Sequence, residues 1–296
     1  MPTALITGLR GFTGRYLAQE LRTAGYQVFG TVHGEAAGKP EEFVADLSDL
    51  DAIRKVVAKV RPDVVAHLAA ISFVAHEDIE SIYRTNIIGT RNLLQSLAEQ
   101  EKPPSCVLLA SSANVYGNST EGVLTETTPP NPANDYAVSK LAMEYMAKLW
   151  FDKLPIVIVR PFNYTGVGQA LNFLLPKIVD HFHRKAGGIE LGNLDVWRDF
   201  SDVRTVVNIY RRLIEIAPVG ETFNICSGIA VSLEEVLDMM ARIAGYRIQV
   251  TVNPAFVRAN DVKTLCGDPS RLRAVIGDWT LVPLEDTLRW MLGEGD

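Results

Sequence analysis

Residues Thr7-Gly8-Leu9-Arg10-Gly11-Phe12-Thr13-Gly14 set three glycines three apart, where an apolar β-rich run gives way to helical periodicity. Few backbone paths join a strand to a helix so tightly. Glycine permits the turn and lets a pyrophosphate approach the main chain. The free N–H groups and the positive dipole end of the helix then favour an anion there. The spacing differs from the common G-x-G-x-x-G fingerprint, and such a triplet also serves purely structural turns. Its place on the first strand of a repeating β–α pattern makes it a candidate for dinucleotide binding.

That pattern runs through the first half of the chain. Candidate strands are Ala4–Thr7, Gln27–Val32, Glu42–Ala45, Val64–Leu68, Cys106–Ala110 and Ile156–Arg160. Between them lie helical stretches at Thr13–Ala24, Leu50–Val60, Ile79–Glu99 and Tyr136–Phe151. Alternation of this kind predicts an α/β fold, a doubly wound parallel sheet of the Rossmann type with ligands outside the carboxyl ends of its strands. After Arg160 the rhythm changes: Pro161, Gly166 and Gly168 mark loop, and helices are expected near Phe173–Lys185, Val203–Ala217, Leu233–Ala244 and Pro283–Leu292. One more strand is expected at Thr222–Ile225. We expect a dinucleotide-binding domain over 1–162, to which 203–226 returns, and a smaller α/β substrate-binding lobe over most of 163–296.

Composition excludes several classes. The formal charge of −6 speaks against nucleic acid or an anionic membrane as partner. No uncharged apolar stretch approaches the ~18 residues of a membrane span, and Met1 leads straight into a strand without a secretory pattern. Cys106, Cys226 and Cys266 are sparse and fit no metal spacing, as expected in a reducing, cytoplasmic setting. His181 and His183, two apart on a polar helix, do not share a face, and no metal is assigned.

Tyr136 and Lys140 stand four apart within a helical pattern and so share a face. A nearby ammonium stabilises phenolate, which suits a tyrosine to exchange a proton with a substrate hydroxyl or carbonyl. Leu109-Ala110-Ser111-Ser112-Ala113-Asn114-Val115-Tyr116-Gly117 leaves a strong strand and carries serine hydroxyls to the crevice mouth. The end of the second strand, Gly30-Thr31-Val32-His33-Gly34, has no carboxylate for a ribose hydroxyl before Glu35. Arg10 is placed for a 2′-phosphate instead, which favours NADP and leaves NAD open. Asp46, with Leu47 beside it, is placed to meet the adenine or to cap the helix beginning near Ser48. Ser72 and Phe73, beyond the fourth strand, are candidates to line a sugar site. His67 ends that strand in an apolar run and reads as structural.

Gly8-x-x-Gly11-x-x-Gly14, His67-Leu68-Ala69-Ala70, Asn86-x-x-Gly89-Thr90, Ser111-Ser112, Tyr116-Gly117, Tyr136-x-x-x-Lys140 and Arg160-Pro161-Phe162-Asn163 together resemble the extended short-chain dehydrogenase/reductase family. The resemblance implies that Ser112, Tyr136 and Lys140 are catalytic, with Tyr136 the acid/base and Lys140 on the nicotinamide ribose. It implies cofactor contacts at Gly8, Arg10, Gly11, Phe12, Thr13, Gly14, Asp46, Leu47, Leu68, Ala69, Ala70 and Asn86. Asn163 and, on the loop after it, Asn172 would meet the sugar or its first phosphate.

Two later segments, Gly192–Phe200 and Arg258–Asp268, resemble those of GDP-mannose 4,6-dehydratases and GDP-4-keto-6-deoxy-mannose reductases, although Ala259 stands where such relatives usually carry proline. By this resemblance Arg198 and Arg258 bind the diphosphate, and Asp261 the guanosine ribose. The dehydratases place a glutamate two residues before the tyrosine of the Tyr-Gly pair, to remove the C5 proton. This chain has Asn114 there, preceded by Ala113, and Asn114 is expected to meet the substrate rather than to act as a base. The expected activity is therefore reduction of GDP-4-keto-6-deoxy-D-mannose to GDP-D-rhamnose. A nucleotide-sugar 4-epimerase or dehydratase of the same family is the alternative. A cofactor-sensing protein without activity would not need the Tyr136/Lys140 pair. The same resemblance implies a homodimer through a four-helix bundle.

Overall fold

The computed structural model describes residues 1–34, 38–72, 78–117, 122–257 and 263–293. The first half alternates β1 (Thr3–Thr7), α1 (Phe12–Thr23), β2 (Gln27–Val32), β3 (Glu42–Val44), α2 (Leu50–Val60) and β4 (Val64–His67). Then come α3 (Ile79–Tyr83), a π-helical turn at Arg84–Gly89, α4 (Thr90–Ala98), β5 (Cys106–Ala110), a 3₁₀ turn at Ala113–Tyr116, α5 (Asp135–Lys148) and β6 (Ile156–Pro161). Local chemistry accounts for these elements. In α2, Asp49 caps the helix by accepting from the Ala52 N–H at 3.0 Å, and Ile53, Val56, Val57 and Val60 bury one face at helical spacing. Leu5, Ile6, Val65 and the β5 residues Val107–Leu109 are wholly buried on both strand faces, as a sheet covered on both sides demands.

Seven strands form one parallel sheet in the order β10-β6-β5-β4-β1-β2-β3, with β10 (Thr222–Ile225) at the edge beside β6. Helix α1 and the later helix α7 (Val203–Ile216) cover one face, with Leu17, Leu21, Val206, Tyr210 and Leu213 in that core. On the other face Val57, Leu93, Leu94, Leu97 and Met143 pack from α2, α4 and α5. Strand order reverses between β1 and β4, so the crevice at their carboxyl ends is the topological switch point of the fold.

The helix expected over 79–99 runs unbroken from Ile79 to Ala98, with the π-helical turn within it. The π turn directs Asn86 inward, where it is 1 % exposed. Beyond β6 follow β7 (Asn163–Thr165), α6 (Leu174–His183), β8 (Gly188–Leu191) and β9 (Trp197–Asp202), and after β10 come β11 (Ala230–Ser232), α8 (Leu233–Ala244), β12 (Gln249–Val252), β13 (Thr264–Leu265), α9 (Ser270–Ile276) and α10 (Leu284–Leu292). Strands β11, β9, β13 and β7 form a second small sheet, and β8 pairs with β12. A separate core containing Leu175, Ile178, Phe182, Val236, Met240 and Leu288 lies beneath α6, α8 and α10.

Candidate active site

The glycine turn sits at the switch point. Gly8 has φ +76°, and a Cβ there would press on the backbone of Ala69 after β4. A Cβ on Gly14 would strike the carbonyl oxygens of Gly8 and Leu9, so α1 can approach the turn this closely only with glycine. Beneath the turn lies a buried hydrogen-bond chain. Thr90 Oγ1 donates to the Asn86 carbonyl at 2.7 Å, so it must accept from His67 Nε2 at 2.8 Å. That fixes His67 Nδ1 as the acceptor for the Thr7 hydroxyl at 2.7 Å. Burial holds His67 neutral, pushing it down to about 3, with the Lys140 charge acting in the same direction. His67 is thus a structural link between β1, β4 and the helix after it.

A cavity of about 430 Å³ opens over this crevice, lined among others by Gly8, Gly11, Phe12, Thr13, Gly14, Leu68, Ala70, Ser72, Ser112, Asn114, Tyr136, Lys140 and Asn163. Helix α5, capped by Asn134 on the Ala137 N–H at 2.9 Å, turns Tyr136 and Lys140 toward it. The two are 7 % and 3 % exposed. Burial pushes the Tyr136 hydroxyl up, and its hydrogen bond with Ser112 partly opposes this. Lys140 is pushed down to about 8 by burial, against the pull of Glu144. Its Nζ donates to the Ala110 carbonyl at 2.8 Å and lies 6.0 Å from the Tyr136 ring centre. Ser112 Oγ also accepts from the Asn114 N–H at 3.1 Å, which ties the 3₁₀ turn to the site.

Among the described residues the cavity lining contains no Asp, Glu or His, so its titratable groups are Tyr136, Lys140 and Tyr164. Tyr164 escaped the sequence reading. Its ring stacks on Phe12 at 6.0 Å, and its hydroxyl bonds Thr13 at 2.7 Å, closing the glycine turn against β7. The signal available for it was its place directly after Asn163. Asn163 Nδ2 is buried and has no hydrogen-bond partner among the described residues. An unspent donor in a cavity wall suits a polar ligand.

Other candidates lie outside that lining. The Asn86 side chain is spent internally, on the Ile71 carbonyl, the Ile71 N–H and Ser139 Oγ, so it shapes the wall rather than facing the crevice. The Ala69 N–H donates to Thr7 Oγ1. Asp46 accepts from the Ser48 N–H, while Asp49 is the cap of α2; Leu47 is buried in the core. Arg10 pairs with Glu42 through Nε at 3.1 Å and Nη2 at 2.5 Å. Arg198, on β9, donates to the carbonyls of Trp197 and Lys263. Asn172 is exposed in the turn before α6, beside Phe173 of the lining. Phe73, Arg258 and Asp261 lie outside the described residues. Among those described, no cluster of His, Cys, Asp and Glu is set to hold a metal, and no helix is long and apolar enough to cross a membrane.

A parallel sheet with a glycine turn at its switch point, facing a Ser–Tyr–Lys cluster, is the architecture of the short-chain dehydrogenase/reductase class. The family profile described as GDP-mannose 4,6 dehydratase matches residues 5–291. Over 277 residues the chain is 38 % identical to a protein of Aggregatibacter actinomycetemcomitans named GDP-6-deoxy-D-talose 4-dehydrogenase, covering 93 % of this chain and 91 % of that one. Over 300 residues it is 32 % identical to GDP-6-deoxy-D-mannose reductase of Pseudomonas aeruginosa, covering 98 % and 95 %. A Burkholderia cenocepacia J2315 crystal structure, solved as a candidate epimerase, superposes with TM-score 0.93 at 56 % identity over 99 % and 97 % of the two chains. The structure of RMD from Pseudomonas aeruginosa complexed with NADPH gives 0.87 at 29 % identity over 99 % and 98 %. The chain belongs to the GDP-mannose 4,6-dehydratase-like family of extended short-chain dehydrogenases/reductases, whose members modify nucleotide-linked sugars.

Proposed function

We propose that this chain reduces the 4-keto group of GDP-4-keto-6-deoxy-D-mannose, yielding GDP-D-rhamnose. The observation that carries this reading is the cavity lining, in which no described carboxylate or imidazole stands ready to remove a C5 proton. Elimination of water needs such a base; carbonyl reduction does not. The relatives named for 4-keto chemistry on GDP-6-deoxyhexoses support it.

The glycine turn and the Ser–Tyr–Lys cluster, which line one cavity at the carboxyl ends of the strands, together with the unspent Asn163 amide in its wall, fit a nicotinamide dinucleotide. When bound in reduced form, it supplies the hydride. The chain's residues do the rest. Ser112 hydrogen-bonds the C4 oxygen and orients it, and Tyr136 gives that oxygen a proton. Lys140 lowers the cost of the phenolate left behind. Asn163 offers its free amide to the sugar or first phosphate, and Arg198, Arg258 and Asp261 hold the nucleotide.

NADP is the preferred cofactor in this reading, through Arg10. Glu42 on the same guanidinium is the feature that favours NAD, because a carboxylate accepts from a ribose hydroxyl and repels a 2′-phosphate. The 38 % identical relative favours a second product, GDP-6-deoxy-D-talose, with the opposite configuration at C4.

We also infer a homodimer through α4 and α5. Ile88, Val138, Tyr145 and Leu149 stand exposed on or beside these helices, as a four-helix bundle between two copies would require. The three free, buried cysteines suit the cytoplasm.

A direct assay tests the reaction. Supplied with GDP-4-keto-6-deoxy-mannose and NADPH or NADH, the protein should oxidise cofactor in proportion to sugar consumed, and NMR of the product gives its C4 configuration. Supplied with GDP-mannose and oxidised cofactor, it should form no keto-sugar. Keto-sugar from GDP-mannose would overturn the assignment.

A further inference from the structure

The stripe of α5 that carries Tyr136 and Lys140 continues one turn further to Glu144, whose side chain is 3 % exposed. Its Oε1 accepts from Ser111 Oγ at 2.5 Å and from Arg160 Nε at 2.9 Å, and its Oε2 accepts from Arg160 Nη2 at 2.6 Å. Arg160, at the end of β6, also donates to the Tyr116 hydroxyl at 2.9 Å. Tyr116 donates in turn to Asn224 Oδ1 on β10 at 2.7 Å, and Asn224 Nδ2 to the Leu124 carbonyl at 2.9 Å. A buried ion pair is weak evidence of stabilisation, since apolar replacements often serve as well. Its position carries the argument here.

Three side chains spaced four apart on α5 meet three consecutive residues at the end of β5. Lys140 binds the Ala110 carbonyl, Glu144 binds the Ser111 hydroxyl, and Tyr136 meets Ser112. Glu144 therefore clamps the strand end between the two residues that the reaction uses. It is also the acidic group acting on the desolvated Lys140. The other titratable groups around the pair are His67 of β4, held neutral, and the phenols Tyr164 of β7 and Tyr210 of α7. Arg160 faces Glu144 rather than Lys140.

We propose that Glu144 is a positioning residue: through Ser111 it fixes the strand end that presents Ser112 to Tyr136, and its carboxylate supplies the counter-charge for Lys140. This rests on the Ser112–Tyr136–Lys140 roles proposed above.

The test compares wild type with Glu144→Gln, Glu144→Asp and the double variant Glu144→Gln/Arg160→Met. Two quantities are read: the pH profile of kcat for cofactor oxidation, and the near-ultraviolet phenolate titration of Tyr136 without substrate, taken as the difference from each protein's Tyr136→Phe counterpart. Removing a negative charge lets both Lys140 and Tyr136 lose protons more readily. The alkaline limb of kcat and the phenolate transition should both move to lower pH in Glu144→Gln, on the order of one unit. Turnover should fall tenfold or more, with KM values within a few-fold.

Glu144→Asp keeps the charge and should retain the wild-type limb; a limb displaced as far as that of glutamine overturns the counter-charge role. Should Glu144→Gln not fold, the double variant, which leaves no lone buried charge, tests the clamp: turnover should fall as far, with a smaller displacement of the limb because the Arg160 cation leaves with the anion, and wild-type turnover would overturn the positioning role. Unmoved limb and transition beside a lower rate or stability would show a merely structural residue. A phenolate shift in a protein inactive on every keto-sugar would refute the substrate reading and leave the positioning role standing.

Discussion

Replacing Tyr136 by phenylalanine removes one oxygen from a 7 % exposed side chain and leaves the ring in its packing. The lost hydroxyl bonds Ser112, whose Oγ still accepts from the Asn114 N–H at 3.1 Å. No buried group is stranded, so folding stability should fall by only about 1 kcal/mol. The reaction loses its proton donor, a contribution of roughly 10²–10⁴ in rate, or about 3–5 kcal/mol of barrier. The disparity between those two costs is the prediction. Initial rates of NADPH oxidation with the keto-sugar measure the loss of rate. Quenching or transfer of cofactor fluorescence gives the dissociation constant, which should stay within a few-fold, and denaturant midpoints give stability. A pure variant turning over within tenfold of wild type would remove Tyr136 from the mechanism. A collapse of cofactor affinity would instead make it a binding residue.

Arg258→Ala should raise KM for the GDP-sugar far more than it lowers kcat, because diphosphate contacts persist from ground state to transition state; unchanged kinetics would place Arg258 outside the site. Glu42→Gln should raise the preference for NADPH over NADH by relieving repulsion beside Arg10, and competitive binding of the two cofactors reads it directly. His67 titrates at about 3 in the fold against an ordinary 6.5, so below that ordinary value the unfolded chain takes up a proton that the native chain refuses. Its contribution to stability therefore declines as pH falls from 6.5 toward 3, by about 2 kcal/mol at pH 5. Denaturant midpoints at pH 7 and pH 5 should drop less in His67→Asn than in wild type, and equal drops would count against the assignment.

The parallel sheet was legible because its strands are short apolar runs and its helices carry apolar residues at spacings of three and four. Leu50–Val60 and Cys106–Ala110 were placed to the residue. The glycine turn and the Tyr136/Lys140 pair were legible because both are defined by spacing within one element. What escaped depends on pairing between distant segments. Glu42 reaches Arg10 only because β3 pairs with β2 in the register that sets Glu42 beside Gly30. Glu144 looks like an ordinary helix residue until β6 brings Arg160 against it. Apart from β10, expected and found at Thr222–Ile225, the strands β7 to β13 are two to six residues long and take their identity from partners such as β9, which meets β7, β11 and β13. The π turn at Arg84–Gly89 left no mark in the apolar periodicity of its helix.

The placement of β10 has a consequence for how the chain is made. The sheet gains its last strand only after residue 225 of 296, and α7, which covers the β1 face against α1, finishes just before it. A nascent chain that has left the ribosome as far as β6 thus exposes the part of the apolar sheet face that α7 will cover and an unpaired strand edge, the features that invite misassociation. Six parallel strands must wait in a provisional state while some sixty further residues, α7 among them, emerge, so long-range closure rather than local helix formation should govern the folding rate.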